Sequence, residues 1–357
     1  MNITVLGAGA GGTSVAFDCA AHGHKVRLFD FPEFPGNIAR IAEQGGIYAE
    51  GDISGFSAIS YAGHDIDRAL DGAELIYVVG PAFSTEPFGK AVAGKLHPGQ
   101  TVIVTPGSCG GALAFKQAAG LAVEDSSVRV AETHTLHYAV RLTEPGRVRV
   151  FLKLKAGNLL AALPGSETGA ILEMIADVYP SMEPAQNVIQ TSLQNANPVI
   201  HPAVSLCNSA RIEGEGDFLF YEEGVSDSVG RIIESVDKER IAIGERLGIK
   251  VFSDPEMGMR QGYMLENNYG SGYREAPGFL GITAQPRLDH RYINEDVGYG
   301  LVFMSQLGQQ VGVATPTIDS LIRLASVLMN RDYAGEALRT PESLGIGKLG
   351  AEQIAAL

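Results

Sequence analysis

Residues 3–12, ITVLGAGAGG, run from a β-branched apolar stretch straight into glycines spaced GxGxxG. In this pattern Gly7 allows a tight turn, Gly9 lets a phosphate approach the backbone, and Gly12 lets a helix pack closely on the strand. Ala10 opens that helix, and a helix N-terminus offers unpaired N–H groups and a positive dipole end to an anion. The stretch therefore predicts a strand–turn–helix unit that binds the pyrophosphate of a dinucleotide.

A second strand-like run, KVRLFD (25–30), ends in Asp30. A carboxylate in this place can accept hydrogen bonds from the ribose hydroxyls of the cofactor, and it would repel a 2′-phosphate. The next arginine, Arg40, comes ten residues after Asp30. We therefore expect NAD(H) as the cofactor, in preference to NADP(H).

Further strands and helical patterns follow in alternation, which indicates an α/β fold with a parallel sheet and helices on both faces. The predicted strands are ITVLG (3–7), KVRLFD (25–30), ELIYVVG (74–80), TVIVTPG (101–107) and VRVAET (128–133). A later segment, GRVRVFLKLKAG (146–157), alternates like an antiparallel or edge strand. Two loops after predicted strands contain Pro81 and Gly107, and both are expected at the cofactor, since ligands bind beyond the carboxyl ends of parallel strands.

Beyond residue 185 the sequence becomes mainly helical. Residues 226–249 have apolar side chains at helical spacing, with Ser226 or Asp227 available as a cap. The stretch 254–289, rich in Gly, Tyr and Pro, is predicted to be a long irregular segment. We therefore predict an N-terminal Rossmann domain over 1–185 and a mainly helical substrate and catalytic domain over 186–357.

Composition narrows the functional class. Residues 1–185 carry 13 basic and 19 acidic side chains, and residues 186–357 carry 14 and 22, so the net charge of −14 is spread over both halves. This distribution argues against nucleic acid or an anionic membrane as a partner and leaves small molecules. Three separated cysteines and no apparent signal peptide or membrane span favour the cytoplasm. The oligomeric state is open, with a homodimer through the helical domain as one arrangement.

A dinucleotide domain followed by a helical domain suggests a dehydrogenase with its substrate between the two domains. Such a reaction needs a proton donor that titrates near neutral pH, and histidine does so. In NANPVIHPAVSLCNSARIE (195–213), His201 lies between Pro198 and Pro202, and Pro202 would kink a helix. A buried core histidine is the alternative interpretation.

Two other groups of polar residues are candidates. In HRYINEDVGYGLV (290–302), Asp296 is either the carboxylate that orients His201 or a cap at the start of a helix. Arg291 is either a clamp for a substrate carboxylate or part of a surface ion pair. His134 and His137 follow a predicted strand at the crevice end of the sheet, where one of them would contact substrate. Their spacing would also suit a metal, but no convincing third ligand is present, so no metal is predicted.

The chain resembles the opine dehydrogenases, the family of octopine and nopaline dehydrogenases, over nearly its full length. The resemblance rests on GxGxxG with Asp30, on the joined NxNxxxHP and RYxxEDVxxGLV segments, and on PGSCGGALAF, RLTEPGRVRV, VDKERIAIGERLGI and ATPTIDSLI. Simple hydroxyacid dehydrogenases do not combine these segments. The stretch THTLH (133–137) departs from the pattern, so the resemblance does not define the amino-acid pocket.

The resemblance implies NADH-dependent reductive condensation of an α-keto acid with the amino group of an amino acid. It places the catalytic histidine at His201, its carboxylate partner at Asp296 and the substrate-carboxylate arginine at Arg291. Asn197, in the NxNxxxHP segment, is a further candidate substrate ligand. One alternative is a dehydrogenase of a simple hydroxy acid or polyol phosphate. Many of those enzymes use a lysine as acid/base, whereas Lys153 and Lys155 lie here in a strand-like alternation with no identifiable partner. A non-catalytic NAD-sensing module is the other alternative.

Overall fold

The structure is a computed structural model that describes residues 1–214 and 217–357. Contacts divide the chain into two compact units, Met1–Val188 and Ile189–Leu357. We call the first the Rossmann unit and the second the helical unit. The change of sequence pattern predicts the boundary at residue 185.

The Rossmann unit contains twelve strands. They are β1 Asn2–Leu6, β2 Lys25–Phe29, β3 Gly46–Gly51, β4 Gly55–Ala58, β5 Tyr61–Gly63, β6 Leu75–Val78, β7 Thr101–Val104, β8 Arg129–Thr133, β9 Tyr138–Glu144, β10 Arg147–Lys153, β11 Asn158–Leu163 and β12 Met182–Pro184. Eight of them form the main sheet in the order β12-β11-β8-β7-β6-β1-β2-β5.

The centre of the main sheet is parallel, as predicted. β1 pairs with β2 on one side and with β6 on the other, and β6, β7 and β8 continue in the same direction. Every residue of β6 and β7 is buried. Apolar side chains on both faces of a strand require cover on both faces, which the crossover helices of a parallel sheet supply. At one edge β11 runs antiparallel to β8, and β12 pairs parallel with β11.

A second sheet, in the order β4-β3-β10-β9, was predicted only in part. β10 pairs antiparallel with β9, in agreement with the alternation of residues 146–157, and it also pairs parallel with β3. The strands β3, β4 and β5 were not predicted, because three short glycine-containing runs between residues 46 and 63 lack a strong period of their own. β3 pairs with β10, β4 with β3, and β5 with β2, and this pairing supplies the hydrogen bonds that such short strands need.

Helices of the Rossmann unit alternate with the strands. They are α1 Ala10–Ala21, α2 Pro35–Gln44, α3 Ile66–Leu70, α4 Thr85–Val92, α5 Gly111–Ala118 and α6 Thr168–Ile175, with short 3-10 turns at Ala82–Ser84 and Gly165–Glu167. α1 is buried along most of its length, from Gly12 to Cys19. This helix joins β1 to β2 and therefore determines the position of the glycine-rich turn.

The helical unit holds the remaining helices. They are α7 Val188–Leu193, which begins at the boundary, α8 Asn197–Cys207, α9 Ser209–Ile212, α10 Asp227–Arg246, α11 Asp254–Gln261, α12 Ser271–Arg274, α13 Arg291–Glu295, a π-helical turn Asp296–Leu301, α14 Val302–Val311, α15 Pro316–Met329 and α16 Ala351–Ala355. Within the described residues its only bridge outside named strands joins Leu219 to Thr283. The helical character predicted beyond residue 185 is confirmed.

Two local predictions for this unit need correction. The segment 254–289 is not irregular throughout, because α11 opens it, with the Ser253 side chain accepting from the Glu256 N–H as its cap. The helix near Asp296 begins earlier than predicted, at Arg291, with the His290 side chain as its cap. Asp296 is therefore inside a continuous helical run, and the cap interpretation of this residue is wrong.

Candidate active site

The glycine-rich turn has the backbone geometry that its spacing suggests. Gly7 has a φ of +107°, and a Cβ there would lie 2.1 Å from the carbonyl oxygen of Val79. A Cβ at Gly12 would lie 1.8 Å from the carbonyl oxygen of Gly7, so only glycine lets α1 approach the turn this closely. Each position excludes a side chain for a different reason, the first mainly by backbone conformation and the second by packing.

Gly9 differs from the other two glycines because a Cβ there would meet nothing within 4 Å. It precedes α1, which begins at Ala10 and receives no hydrogen bond from a capping side chain. The space beside Gly9 is therefore open at the end of the helix where N–H groups lack intrahelical acceptors. This arrangement fits a dinucleotide pyrophosphate, for which glycine leaves room and the helix supplies donors.

Asp30 lies at the end of β2, next to the turn. Its carboxylate accepts hydrogen bonds from the backbone N–H of Ala8 at 2.7 Å and of Phe31 at 2.8 Å. Burial raises the pKa of Asp30 above its ordinary value, and these two hydrogen bonds partly oppose the shift. Each carboxylate oxygen can accept more than one hydrogen bond. Asp30 can therefore hold the turn and still accept a hydrogen bond from a ribose hydroxyl.

The loops after β6 and β7 contain the other predicted cofactor residues. Pro81 leads into the 3-10 turn that precedes α4. Gly107 has a structural requirement of its own, because a Cβ there would lie 2.6 Å from the carboxyl carbon of Glu132. The buried Glu132 accepts from the backbone N–H of Ala112 at 2.7 Å, in the first turn of α5. An N–H group at the start of α5 therefore already donates to a carboxylate of the protein.

His134 and His137 follow β8, and the structure buries both side chains, with 2% and 1% exposed. The Nδ1 of His134 accepts from the backbone N–H of Leu159 at 3.1 Å. The Nδ1 of His137 is 2.9 Å from the side-chain nitrogen of Asn158, and its ring lies on Tyr179 with the ring centres 4.2 Å apart. These contacts explain why a histidine at each position stabilises the fold. The role of the two histidines as substrate ligands stays a prediction.

His137 belongs to a buried polar cluster that also contains Lys153. The Lys153 ammonium lies 2.7 Å from the Asp18 carboxylate and donates to the carbonyl of Val178. Burial lowers the pKa of His137 to about 3, with the positive charge of Lys153 as the next cause. His137 is consequently neutral at physiological pH. Lys153 is committed to an ion pair, which weakens the interpretation of it as a catalytic acid or base.

His201 lies in the middle of α8, a helix that continues from Asn197 to Cys207 through Pro202. Pro198 occupies the first turn, where the missing N–H of proline costs nothing. The ring of Pro198 also explains Gly300, since a Cβ at that glycine would lie 2.2 Å from the Pro198 Cγ. The absence of a side chain at Gly300 therefore lets α8 pack closely on the π-helical turn.

This packing brings His201 and Asp296 together across 95 positions of sequence. The Nδ1 of His201 is 2.7 Å from the Asp296 Oδ2, and both side chains are buried, with 7% and 3% exposed. Asp296 opens the π-helical turn. Such turns are rare in α-helical runs and are frequent at functional sites. The carboxylate can accept the Nδ1–H, which leaves Nε2 as the nitrogen available for proton transfer.

Arg291 and Asn197 have different surroundings. The Arg291 Nε lies 3.3 Å from the carboxylate of the buried Glu295, and about half of the arginine side chain is exposed, at 46%. Burial would lower the pKa of Arg291, but the carboxylates of Glu295 and Asp296 raise it above its ordinary value. Asn197 is half-buried, one helical turn before His201. An exposed guanidinium close to the His201–Asp296 pair can bind a substrate carboxylate.

Sequence reasoning missed two aromatic residues that contact His201. The Tyr221 hydroxyl is 3.1 Å from the His201 Nε2, and the Tyr292 ring is stacked on the imidazole with 3.8 Å between ring centres. Tyr292 stands next to Arg291 in the RYxxEDV segment, so that segment contained a signal for it. Tyr221 follows a Gly- and Glu-rich stretch of sequence that indicates no contact with α8.

The described residues also bear on metal binding and on membrane insertion. Among residues 1–214 and 217–357, no group of three His, Cys, Asp or Glu side chains is arranged to hold a metal ion. In the same residues, no helix has both the length and the apolar character needed to cross a bilayer.

Comparison with known proteins gives the same division into two parts. Residues 184–329 match the family model for the α-helical domain of NAD/NADP octopine/nopaline dehydrogenase. Residues 2–114 match the model for the N-terminus of NAD-dependent glycerol-3-phosphate dehydrogenase. The second match covers the cofactor half of the Rossmann unit and does not reach His201 or Asp296.

Individual relatives extend the likeness over the full chain. An opine dehydrogenase of Arthrobacter sp. (strain 1C) is 35% identical over 353 residues, which cover 98% of this chain and 96% of the relative. A tauropine dehydrogenase of Arabella iricolor is 23% identical over 75% of this chain and 74% of its own. The structure of octopine dehydrogenase with NADH and L-arginine matches all of this chain and 98% of its own, with a TM-score of 0.82 at 18% identity. The chain belongs to the octopine and nopaline dehydrogenase family.

Proposed function

We propose that the chain catalyses reductive condensation of a pyruvate-like α-keto acid with the amino group of an L-amino acid, and the reverse oxidation. As a member of its family it is an NAD-dependent oxidoreductase that acts on CH–NH bonds. The observation that carries the proposal for the site is the buried His201–Asp296 pair beside an exposed Arg291. This group of residues has the parts that condensation needs, an acid/base and an anchor for a carboxylate.

The Rossmann unit has the residues for the cofactor. Gly7, Gly9, Ala10 and Gly12 form the turn for the pyrophosphate, and Asp30 accepts from the ribose, which favours NADH over NADPH. When bound, NADH supplies the hydride. Initial rates with NADH and with NADPH at equal concentrations test this part, and a preference for NADPH would contradict it.

The helical unit supplies the proton chemistry. Condensation first gives a carbinolamine, whose hydroxyl must be protonated to leave as water while the nitrogen lone pair forms the C=N bond. The His201 imidazolium is the source of that proton. Asp296 fixes the tautomer and stabilises the positive charge while it is present. Arg291 binds a substrate carboxylate, and Asn197 is a further proposed ligand in the same helix as His201.

The function is tested by NADH loss with pyruvate, oxaloacetate and 2-oxoglutarate, each measured alone and with a panel of amino acids. We expect oxidation of NADH only when a keto acid and an amino acid are both present. Reduction of the keto acid without amine would favour a simple hydroxyacid dehydrogenase. Binding of NADH without turnover in any mixture would favour an NAD-sensing module.

Location and assembly stay predictions. The three cysteines form no disulfide, two of them are buried and Cys207 is exposed, which supports the expected cytoplasmic location. A homodimer is an expectation from the sequence alone, and light scattering of the purified protein would test it.

A further inference from the structure

The imidazole of His201 has no free nitrogen in this structure. Its Nδ1 is 2.7 Å from the Asp296 carboxylate, and its Nε2 is 3.1 Å from the Tyr221 hydroxyl. One face of the ring is covered by Tyr292, at 3.8 Å between centres and an interplanar angle of 21°. Any proton that His201 gives to a substrate must therefore pass through Tyr221, unless Tyr221 first moves away.

The partners determine which nitrogen carries which proton. A carboxylate only accepts hydrogen bonds, so Nδ1 keeps its hydrogen toward Asp296 in both states of the ring. Nε2 is then the atom that gains and loses a proton. A tyrosine hydroxyl can both donate and accept, so Tyr221 can donate to neutral Nε2 and can accept from the protonated form. It can therefore pass on a proton without changing its own composition.

The position of Tyr221 is held from two sides. Its ring is stacked on Phe279 at 4.3 Å, and Phe279 is stacked in turn on Tyr263 at 5.6 Å. Its backbone neighbour Phe220 donates to the carbonyl of Ile282 at 2.8 Å, which joins the tyrosine loop to the segment that carries Phe279. The hydroxyl therefore stays at Nε2 through packing as well as through its hydrogen bond.

Tyr221 also lies close to the proposed substrate anchor. The pKa of Arg291 is influenced first by burial, which lowers it, and then by charges that raise it, among them those of Glu295, Asp296 and Tyr221. Arg291 is the one of these side chains that is about half exposed, since Tyr221 and His201 are both buried. A substrate whose carboxylate binds Arg291 is therefore brought within charge-interaction range of Tyr221.

We propose that Tyr221 is the catalytic residue that exchanges a proton directly with the substrate, and that His201 replaces the proton that Tyr221 gives away. The inference rests on the proposed function. As the carbinolamine C–O bond breaks, the Tyr221 O–H gives its proton to the departing hydroxyl, which leaves as water. The phenol oxygen takes the Nε2 proton of the imidazolium, and His201 is left neutral with Nδ1–H on Asp296. The reverse reaction moves the same protons in the opposite direction.

The two transfers are expected to occur together. Burial, followed by the charges of Tyr292, Asp254 and Asp296, raises the pKa of Tyr221 well above its ordinary value of 10.0. A phenolate formed alone would therefore be unfavourable in this surrounding. The transfer of two protons in one step gives a specific kinetic signature, a curved dependence of the rate on the deuterium content of the solvent.

The test uses Tyr221→Phe, which removes the hydroxyl and keeps the ring that stacks on Phe279. Single-turnover rates are measured with NADH, keto acid and amino acid. We expect Tyr221→Phe to lose about 10²-fold in rate, the range of general acid catalysis, with NADH binding unchanged. The wild-type rate should curve with the deuterium fraction of the solvent, and the residual rate of the variant should not.

Tyr263→Phe is the matched control, because it removes a hydroxyl from the same aromatic stack while Tyr221 stays in place. It should retain the wild-type rate and the curved solvent dependence. A rate for Tyr221→Phe equal to or above that of wild type would overturn the proposal and show that Tyr221 merely occupies Nε2 until substrate arrives.

Two further results distinguish a failure of the Tyr221 proposal from a failure of the proposed function. If Tyr221→Phe does not fold, the wild-type solvent dependence decides, since a linear plot overturns the proposal and a curved plot supports it. If wild type shows no reaction that requires both keto acid and amine, the proposed function fails and the inference fails with it. If wild type reacts and Tyr221→Phe is unimpaired, only the inference fails.

Discussion

His201 in the helical unit and His137 in the Rossmann unit are comparable in burial, with 5% and 1% of each residue exposed. Each has a polar group near both ring nitrogens and an aromatic ring against one face. The partners differ. His201 is paired with the Asp296 carboxylate, whereas His137 is bonded to the Asn158 amide and lies near the Lys153 cation.

The difference shows how a protein uses the same side chain in two ways. A carboxylate partner stabilises the imidazolium, so burial of His201 is compatible with a change of charge during a reaction. His137 has no such partner, so burial, followed by the charge of Lys153, lowers its pKa to about 3 and the ring stays neutral. We therefore expect His201 to act in turnover and His137 to act in stability.

The largest expected effect is on turnover. His201→Ala should lose about 10³-fold in kcat, because it removes the acid/base and leaves Asp296 without its partner. His137→Gln, the matched change of a buried histidine, should stay within about tenfold. Both are measured by NADH loss in the presence of keto acid and amino acid, with NADH binding followed by its own fluorescence.

Near-normal turnover of His201→Ala would show that His201 is a core residue. A rise in KM for the amino acid in His137→Gln, at unchanged kcat, would support the expectation that this part of THTLH contacts substrate.

The next effect is on acid stability. The pKa of His137 is about 3 in the fold and 6.5 in the unfolded chain, so its contribution is full above pH 6.5 and is lost as the pH falls toward 3. This loss is on the order of 3 kcal/mol at pH 4. His137→Gln lacks the group, so its unfolding free energy should fall less over this window. Urea unfolding followed by circular dichroism is suitable, since the chain has no tryptophan.

The variant will also lose contacts with Asn158 and Tyr179, which lowers its stability at every pH. The comparison is therefore made between slopes against pH and not between absolute values. Equal slopes in wild type and His137→Gln would mean that His137 is not held neutral.

Asp296→Asn changes the partner of His201 and keeps its shape. We expect a loss of roughly 10²-fold in kcat, because the imidazolium loses its stabilising charge and the tautomer is no longer fixed. The pH–rate profile of the variant should therefore differ from that of wild type. An unchanged profile would contradict the pairing.

The smallest effect concerns a buried carboxylate elsewhere in the helical unit. Burial, with the neighbouring Asp237 as the next cause, raises the pKa of Asp254 to about 6 from 3.8. Stability from this group is full below pH 3.8 and is lost as the pH rises through about 6, with a loss on the order of 2 kcal/mol at pH 5.5. Asp254→Asn should remove this loss and keep an acceptor for the Tyr273 hydroxyl.

Asp237→Asn is a useful companion, because it removes the nearby charge and should reduce the same pH dependence. Identical pH profiles of unfolding for wild type and Asp254→Asn would show that Asp254 ionises as an ordinary carboxyl. The comparison of buried groups would then apply to the histidines alone.

The accuracy of sequence-based prediction varied with the range of the interactions. The central strands of the main sheet were predicted because buried parallel strands are continuous apolar runs. The short strands β3, β4 and β5 were missed because their hydrogen bonds depend on partner strands, β10 for β3, β3 for β4 and β2 for β5. Asp296 was placed at a helix start because a carboxylate there is a common cap, and the earlier start at Arg291 depends on a His290 cap that is a weak signal.

The sequence by itself determined what depends on local backbone chemistry. Gly7 and Gly12 occupy places where a Cβ would collide with the turn, and the run that ends in Asp30 puts a carboxylate next to that turn. The motif pattern also indicated that His201 and Asp296 act together, although it contained no distance between them.

Tertiary structure alone decided how each buried histidine is used. The partners of His137 come from the residue after β7, from β11 and from the chain beyond α6, and the Tyr221 partner of His201 comes from the loop before α10. Spacing within THTLH or NANPVIHP cannot show such contacts, because they form only when separate elements pack together. The charge that a buried ring can carry depends on those partners, and so does the route by which its proton can leave.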